Sequence, residues 1–417
     1  MARIVVASTA YLGDVAPFVA PANELVDRGH DVTFLTPAGF HPILAGERFR
    51  LDTYPLDFSS PAMHADPQHQ QLMRHPWRNQ LRLTRYWMRR SLVDDPKAVL
   101  DGLLSSLRGV DVLVTHPTLG SVTIPVAEHV GARVVVGQLF PMLVPTDRHS
   151  APMTARSLRL PRAVNRATWG FTKLLTSTLL NDKAINRFRR DIGLRRQYAA
   201  AFTAWMDADR TVMLVSPHYF GDTPADWPPI AWGGFSMWPG PAGQTVDPAV
   251  EEFMDAGDSP VLVTLGTSAA TGAGERFAAV GRGLDRIGLR SIHLVADERN
   301  LAPLVGREGV FVFAPIAQLL TRCRIAVVSG ALGALSTALK FGVPVVVVPQ
   351  LFDQLWHGRR VEQLGIGVMA HTSHGVVKAV ARIEADPHYR ERAQELAARM
   401  ANEDGATALA DATESLL

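Results

Sequence analysis

One repeated alternation constrains this chain more than any other feature. Short, mostly apolar runs recur, and each is followed by a stretch with helical spacing. A first series reads as strands at 4–7, 31–35, 110–114, 133–136 and 212–215, with a turn at Gly13-Asp14 and helices from about Pro17 to Arg28 and over 121–130 between them. A second series reads as strands at 260–265, 291–295, 310–313, 325–328 and 343–348, with helices at about 275–287 and 332–341, and helices dominating from 353 onward. Strands that are apolar on both faces need cover on both faces, and α/β alternation supplies it with helices above and below a parallel sheet. The expected fold class is therefore α/β, with two Rossmann-like, doubly wound parallel-sheet domains in series. Ligands of such sheets bind beyond the carboxyl ends of the strands. The loops after strand ends are where chemistry is sought.

The break between the two series is compositional. Residues 217–250 carry Pro224, Pro228, Pro229, Pro239, Pro241 and Pro248 among several glycines, which is loop composition. The expected organisation is a first domain over 1–216, a linker over 217–245, a second domain over 246–400 and a C-terminal helix over 401–417 that packs back on the first domain. A chain of 417 residues suits two such domains. Its formal net charge of +2 gives no reason to expect nucleic-acid binding. That average conceals a split, because the first 216 residues are net basic and the remainder is net acidic.

Several chemistries lack their residues. With the single cysteine Cys323, no internal disulfide and no cysteine-rich metal site can form. No Gly-x-Gly-x-x-Gly follows the first strand, and there is no P-loop, His-Glu-x-x-His or nucleophile elbow. The apolar run at 4–7 is too short for a signal peptide, and no window approaches the ~18 apolar residues of a membrane span. A cytoplasmic protein without a metal or a bound cofactor is expected, with peripheral contact at the inner membrane face as a further expectation.

The stretch from Phe313 to Gln354 is the most informative. Ser329-Gly330 ends one strand and opens a helix, where small residues let backbone N–H groups and the helix N-terminus meet a phosphate. Asp353-Gln354 follows the next strand, and a carboxylate beside an amide suits the reading of vicinal hydroxyls. With Pro315-Ile316 upstream and Gly333 within the helix, this order resembles the nucleotide-sugar signature of GT-B glycosyltransferases of the UDP-glycosyltransferase-like superfamily. The resemblance is nearest to the bacterial antibiotic and sterol-type enzymes. It extends to Gly13-Asp14-Val-Ala-Pro17 and Arg28-Gly-His30 near the start, to Asp226-Trp-Pro-Pro229 and Gly234-Phe235, and to Glu403-Asp-Gly405 near the end.

The resemblance implies an inverting, metal-independent transfer from a UDP- or dTDP-sugar co-substrate to a hydroxyl of a lipophilic acceptor, in a deep cleft between the two domains. It makes Asp14 the general base, at a position where many relatives carry histidine. The plainer alternative for Asp14 is a helix N-cap. It assigns Gly266, Thr267 and Ser268 to the donor phosphates, Pro315 and Ile316 to the nucleobase, and Ser329, Gly330 and Gly333 to the pyrophosphate. Asp353 and Gln354 become readers of the donor sugar, although Asp353 also suits an N-cap. Ser329 stands where most relatives have a histidine, while Ala331 and Ala334 replace a usual Gly and Thr. These departures motivate an alternative: a non-catalytic GT-B homologue that binds or activates a partner. A sugar-nucleotide epimerase of the same architecture ranks third.

On the acceptor side the expected residues are Gly13, His116 and Trp87. His116 follows a strand ending near Thr115, so it can face the cleft and assist Asp14. Residues 72–90 hold six arginines and no acid, interleaved with Trp77, Tyr86 and Trp87, and residues 148–196 carry 12 basic and 2 acidic residues. The resemblance places such segments over the acceptor pocket. A basic amphipathic helix can also lie on an anionic membrane.

Overall fold

The computed structural model describes residues 1–151, 160–179, 182–241, 244–266, 272–351 and 353–417. The chain forms two compact units. The first comprises Met1–Ala65, Leu81–Pro241 and Glu403–Leu417, and the second Asp66–Gln80 and Ala242–Asn402.

The first unit holds a seven-stranded sheet in the order β3-β2-β1-β4-β5-β6-β7. Its strands are β1 (Arg3–Ala7), β2 (Asp31–Thr36), β3 (Arg50–Thr53), β4 (Val112–Thr115), β5 (Arg133–Gln138), β6 (Arg210–Met213) and β7 (Ala231–Trp232). Every pairing is parallel. The second unit holds a six-stranded parallel sheet in the order β10-β9-β8-β11-β12-β13. Its strands are β8 (Val261–Thr264), β9 (Ser291–Leu294), β10 (Val310–Phe311), β11 (Ile325–Val328), β12 (Val345–Val347) and β13 (Gly367–Met369). The central strands β4, β8, β9 and β11 are buried at every residue, as strands covered on both faces should be.

Three edge strands differ from the sequence expectation. β3 was not expected. β6 is not the last strand of its sheet, because β7 adds along its outer edge. The region after 353 is not wholly helical, because β13 pairs with β12. These segments are two to four residues long, too short to show a period.

The last helix, Gly405–Glu414, belongs to the first unit and packs on the helix Leu12–Asp27. Arg28 fastens it, with Nη1 2.6 Å from Asp411 Oδ1 and 2.6 Å from Glu414 Oε2. His30 Nε2 lies 2.8 Å from Glu414 Oε1. Two glycines permit the close crossing just before this helix. Gly234 has φ +80°, and a Cβ there would lie 2.6 Å from Glu403 Cβ. A Cβ on Gly405 would lie 2.4 Å from Gly234 O. The Gly234-Phe235 and Glu403-Asp-Gly405 motifs are thus two halves of one packed junction. Asp226, in the preceding proline-rich stretch, accepts from Thr146 Oγ1 at 2.7 Å and from the Asp147 N–H at 2.6 Å. Burial pulls its pKa upward, but these hydrogen bonds outweigh burial and hold it below the ordinary carboxylate range.

Candidate active site

In each sheet the strand order reverses direction once, between β1 and β4 in the first and between β8 and β11 in the second. That reversal opens a crevice at the carboxyl ends of the strands. Asp14, His116, Gly266 and Ser329 follow the strands that flank these two places.

At the first crevice, β1 ends at Ala7, and the chain turns through Ser8 into the helix Leu12–Asp27. Asp14 lies inside the first turn of that helix, not on a turn before it and not at the N-cap, which is Tyr11. A carboxylate there is favoured by the unsatisfied N–H groups and the positive end of the helix dipole. Ser8 Oγ donates to Asp14 O at 2.7 Å and ties the turn down. Gly13 has open space on its Cβ side.

His116 reaches the same place from 102 positions further along the chain. Ala7 and Thr115 are register partners on β1 and β4, and the His116 N–H donates to Ala7 O at 3.0 Å. The imidazole is 1% exposed and places Nε2 3.6 Å from Asp14 Oδ1. Nδ1 accepts the Thr118 backbone N–H at 3.2 Å and lies 2.7 Å from Thr118 Oγ1. An Nδ1 that accepts cannot carry the proton of a neutral ring, so the proton sits on Nε2 and faces Asp14. Phe18 and Phe140 hold the ring, with centroids at 5.7 and 5.8 Å.

Trp87 stands edge-on to Tyr11, with ring centroids 5.8 Å apart. Burial, reinforced by the charge of Asp14, pushes the Tyr11 phenol well above its ordinary pKa despite a hydrogen bond with Trp87. Tyr11 therefore stays a neutral phenol. Asp14 thus has the His116 imidazole beside it and lies close enough to Tyr11 for its charge to act on the phenol. Sequence reasoning missed Tyr11, Thr118 and Phe140. Their only signal is position, each lying within three residues of an assigned residue or a strand end.

At the second crevice, Gly266 follows β8 and Ser329 follows β11. Gly266 has φ +71°, and a Cβ on it would come 3.5 Å from Ser329 Oγ. Ser329 is buried and its Oγ accepts the Ala331 N–H at 3.3 Å. Gly330 has φ +88°, and a Cβ there would stand 2.7 Å from Val347 Cγ1 and 3.2 Å from Gln354 O, so only glycine fits. The helix Leu332–Lys340 starts immediately after, with Gly333 in its first turn. Pro315 is the N-cap of the short helix Ile316–Leu320. Thr267 and Ser268 lie outside the described residues.

Asp353 and Gln354 differ from each other. Asp353 occupies the N-cap position of the helix Gln354–Leu364, but its side chain makes no capping hydrogen bond. Instead its Oδ2 lies 3.5 Å from Nε2 of His357, one turn along the same helix and fully buried. Gln354 is 3% exposed, and its Oε1 accepts the N–H groups of Gln350 at 2.7 Å and Leu351 at 3.1 Å. Its carbonyl is therefore taken up in shaping the loop after β12, and only its amide nitrogen remains to meet a ligand. Trp356 packs edge-on against His357 at 5.1 Å. His357 was not singled out from the sequence, although its i,i+4 spacing from Asp353 was available.

Comparisons with known proteins span both units. Residues 292–416 match the family described as erythromycin biosynthesis protein CIII-like, C-terminal domain. The chain is 25% identical to O-mycaminosyltylonolide 6-deoxyallosyltransferase of Streptomyces fradiae, over 97% of this chain and 94% of that protein. It is 27% identical to 4'-demethylrebeccamycin synthase of Lentzea aerocolonigenes, over the whole of both. The fold is that of the GT-B glycosyltransferases, and the full-length relatives are named as sugar-transferring enzymes. The glycosyltransferase of kitacinnamycin superposes with a TM-score of 0.73 at 19% identity, covering 100% of this chain and 99% of that one. The Streptomyces sp. SF2575 glycosyltransferase SsfS6, solved with thymidine diphosphate, gives 0.65 at 19% identity over the whole of both chains. Both sheet crevices lie at the carboxyl ends of the strands, where open α/β sheets place their ligands.

Proposed function

We propose that this glycosyltransferase moves a sugar from a UDP- or dTDP-sugar to a hydroxyl of a lipophilic acceptor, with inversion at the anomeric carbon. The observation that carries the reading is the Asp14–His116 pair at the first crevice, among aromatic rings suited to an apolar acceptor. Asp14 takes the proton of the acceptor hydroxyl as its oxygen attacks the anomeric carbon from the face opposite the diphosphate. The bond to the diphosphate breaks in the same step, which inverts the centre. The His116 Nε2–H orients Asp14 and leaves its second oxygen for the acceptor. In the second unit, the backbone around Gly330 and Gly333 and the Ser329 hydroxyl stabilise charge on the departing diphosphate. Asp353 reads sugar hydroxyls, with the Gln354 amide nitrogen beside it. The chain's kinship with enzymes named for antibiotic glycosylation supports a natural-product acceptor.

The test is incubation with dTDP- and UDP-sugars and a panel of macrolide, polyphenol and sterol acceptors. Proton coupling at the anomeric carbon of the product reports the stereochemistry. A retained configuration overturns the direct displacement.

Ser329 favours a second reading, a nucleotide-binding homologue that acts on a partner. Its hydroxyl oxygen accepts the Ala331 N–H, which leaves a single O–H to donate, and it brings no positive charge. Calorimetry separates the two. Binding of dTDP or UDP without turnover on any acceptor supports the second.

A further inference from the structure

The helix Arg162–Leu179 in the first unit has an outer face that carries none of the residues assigned above to the transfer reaction. At ~100° per residue its side chains sort into three sectors. Asn165, Trp169 and Thr172 are buried and fasten it to the protein. Arg162, Arg166 and Lys173 form a narrow strip along one border of that buried face. Beyond this strip lies an outward sector of about 120° that is almost entirely apolar. It carries Val164 at 44% exposure, Phe171 at 61% and Leu174 at 53%, with the small exposed residues Ala163, Ala167 and Gly170 between them. Single exposed apolar side chains are ordinary, but a continuous outward stripe on an 18-residue helix, about 27 Å long, marks a contact surface.

Charge selects the occupant. The helix contains no acidic residue. Asp147 takes both Arg166 at 2.9 Å and Arg162 at 3.7 Å, so this one carboxylate serves two arginines and the strip stays positive. The next helix, Asp182–Asp191, adds the exposed Lys183, Arg187 and Arg190. Its Asp182 is buried, accepting the N–H groups of Ala199 and Ala200, and Asp191 is its one exposed acid. A second copy docked through this face about a two-fold axis would set one basic strip against another. A surface that is apolar within and anionic at its boundary satisfies both sectors at once.

We propose that the outer face of the helix Arg162–Leu179 rests on an anionic phospholipid surface. Val164, Phe171 and Leu174 enter the acyl boundary, and the lysine and arginines meet the headgroup phosphates. Among the described residues no helix is long and apolar enough to cross a membrane, so the attachment is lateral. The proposal stands apart from the transfer reaction.

Co-sedimentation of the full chain tests it, with vesicles of phosphatidylcholine alone and of phosphatidylcholine mixed with phosphatidylglycerol. The expected result is binding to the mixed vesicles at low salt, loss of that binding at high salt, and little binding to phosphatidylcholine alone. The double variant Phe171→Ser/Leu174→Ser should weaken binding at least about tenfold, by the loss of two buried apolar side chains, and Lys173→Glu by less. An unchanged thermal melt and unchanged dTDP binding in the double variant show that the protein is intact. Absence of sedimentation at low salt overturns the proposal, as does equal partition of the double variant. So does a light-scattering dimer that the double variant abolishes, because the face would then belong to a second copy.

Discussion

Each unit of this protein pairs one carboxylate with one buried imidazole at the crevice of its sheet, and the two pairs are built in opposite ways. Asp353 and His357 lie one turn apart on a single helix, so helix periodicity alone brings them to 3.5 Å. Asp14 and His116 come from different elements, and only the pairing of β1 with β4 brings them to 3.6 Å. The imidazole of the second assembly is directed by a third group, because Thr118 fixes its tautomer. A pair set by local periodicity tolerates changes elsewhere in the fold. A pair set by strand register is held on both sides, which is what a proton-accepting group with one required orientation needs.

The strongest way to break the comparison is to remove the proposed base. Asp14→Asn should lower kcat by about 10²- to 10⁴-fold, the usual contribution of a positioned base, with the fold unchanged by circular dichroism. Retention of full activity would remove Asp14 from the chemistry. Next in size is Gly330→Ala. It places a Cβ against Val347 and forces a residue other than glycine into φ +88°. We expect about 1–3 kcal/mol of destabilisation in a thermal or urea melt, with weaker dTDP binding by calorimetry.

The two histidines then sharpen the contrast. His116→Phe should lower kcat by about tenfold, the effect of losing a contact worth about 1.4 kcal/mol in the transition state, with the acceptor KM nearly unchanged. His116→Gln, which can still offer an N–H, should recover part of the loss. His357→Phe should act on the donor instead, raising its KM by about threefold with little change in kcat, as expected for a weaker contact. If both substitutions moved the same kinetic constant, the two pairs would not be doing separate work.

His293 supplies the control, a buried imidazole engaged by Ser291 in the second unit. Burial, with help from the Arg307 charge, pushes it down to about 3 from an ordinary value of 6.5. The unfolded chain therefore binds a proton that the folded chain refuses between those values. Stability from this neutral ring is fully present above about pH 6.5 and is lost as the pH falls toward 3. His293→Gln should flatten the fall of melting temperature across that window, the smallest of these effects.

How much of this was legible follows from the range over which each signal acts. The strand-and-helix alternation, the small residues at Ser329-Gly330 and the Asp353-Gln354 step are local, and they point to the second crevice directly. The direction of the Gln354 side chain is not legible. A glutamine reads equally well as a ligand contact, and the two backbone N–H groups that occupy its carbonyl belong to a loop whose path is set by packing. The edge strands were hidden for another reason, since a pairing partner and not a period makes two to four residues into a strand.

The sequence by itself determined two parallel sheets covered by helices, the glycines that only a close backbone approach explains, and the basic helices of the first half. Tertiary structure decided which residues meet. It brought Asp14 under the Nε2–H of His116 across 102 positions, seated the last helix on Arg28, and turned one face of the helix Arg162–Leu179 outward. The physical reason is that burial and helical period are properties of neighbouring residues, whereas the register of a parallel sheet is a property of the whole fold.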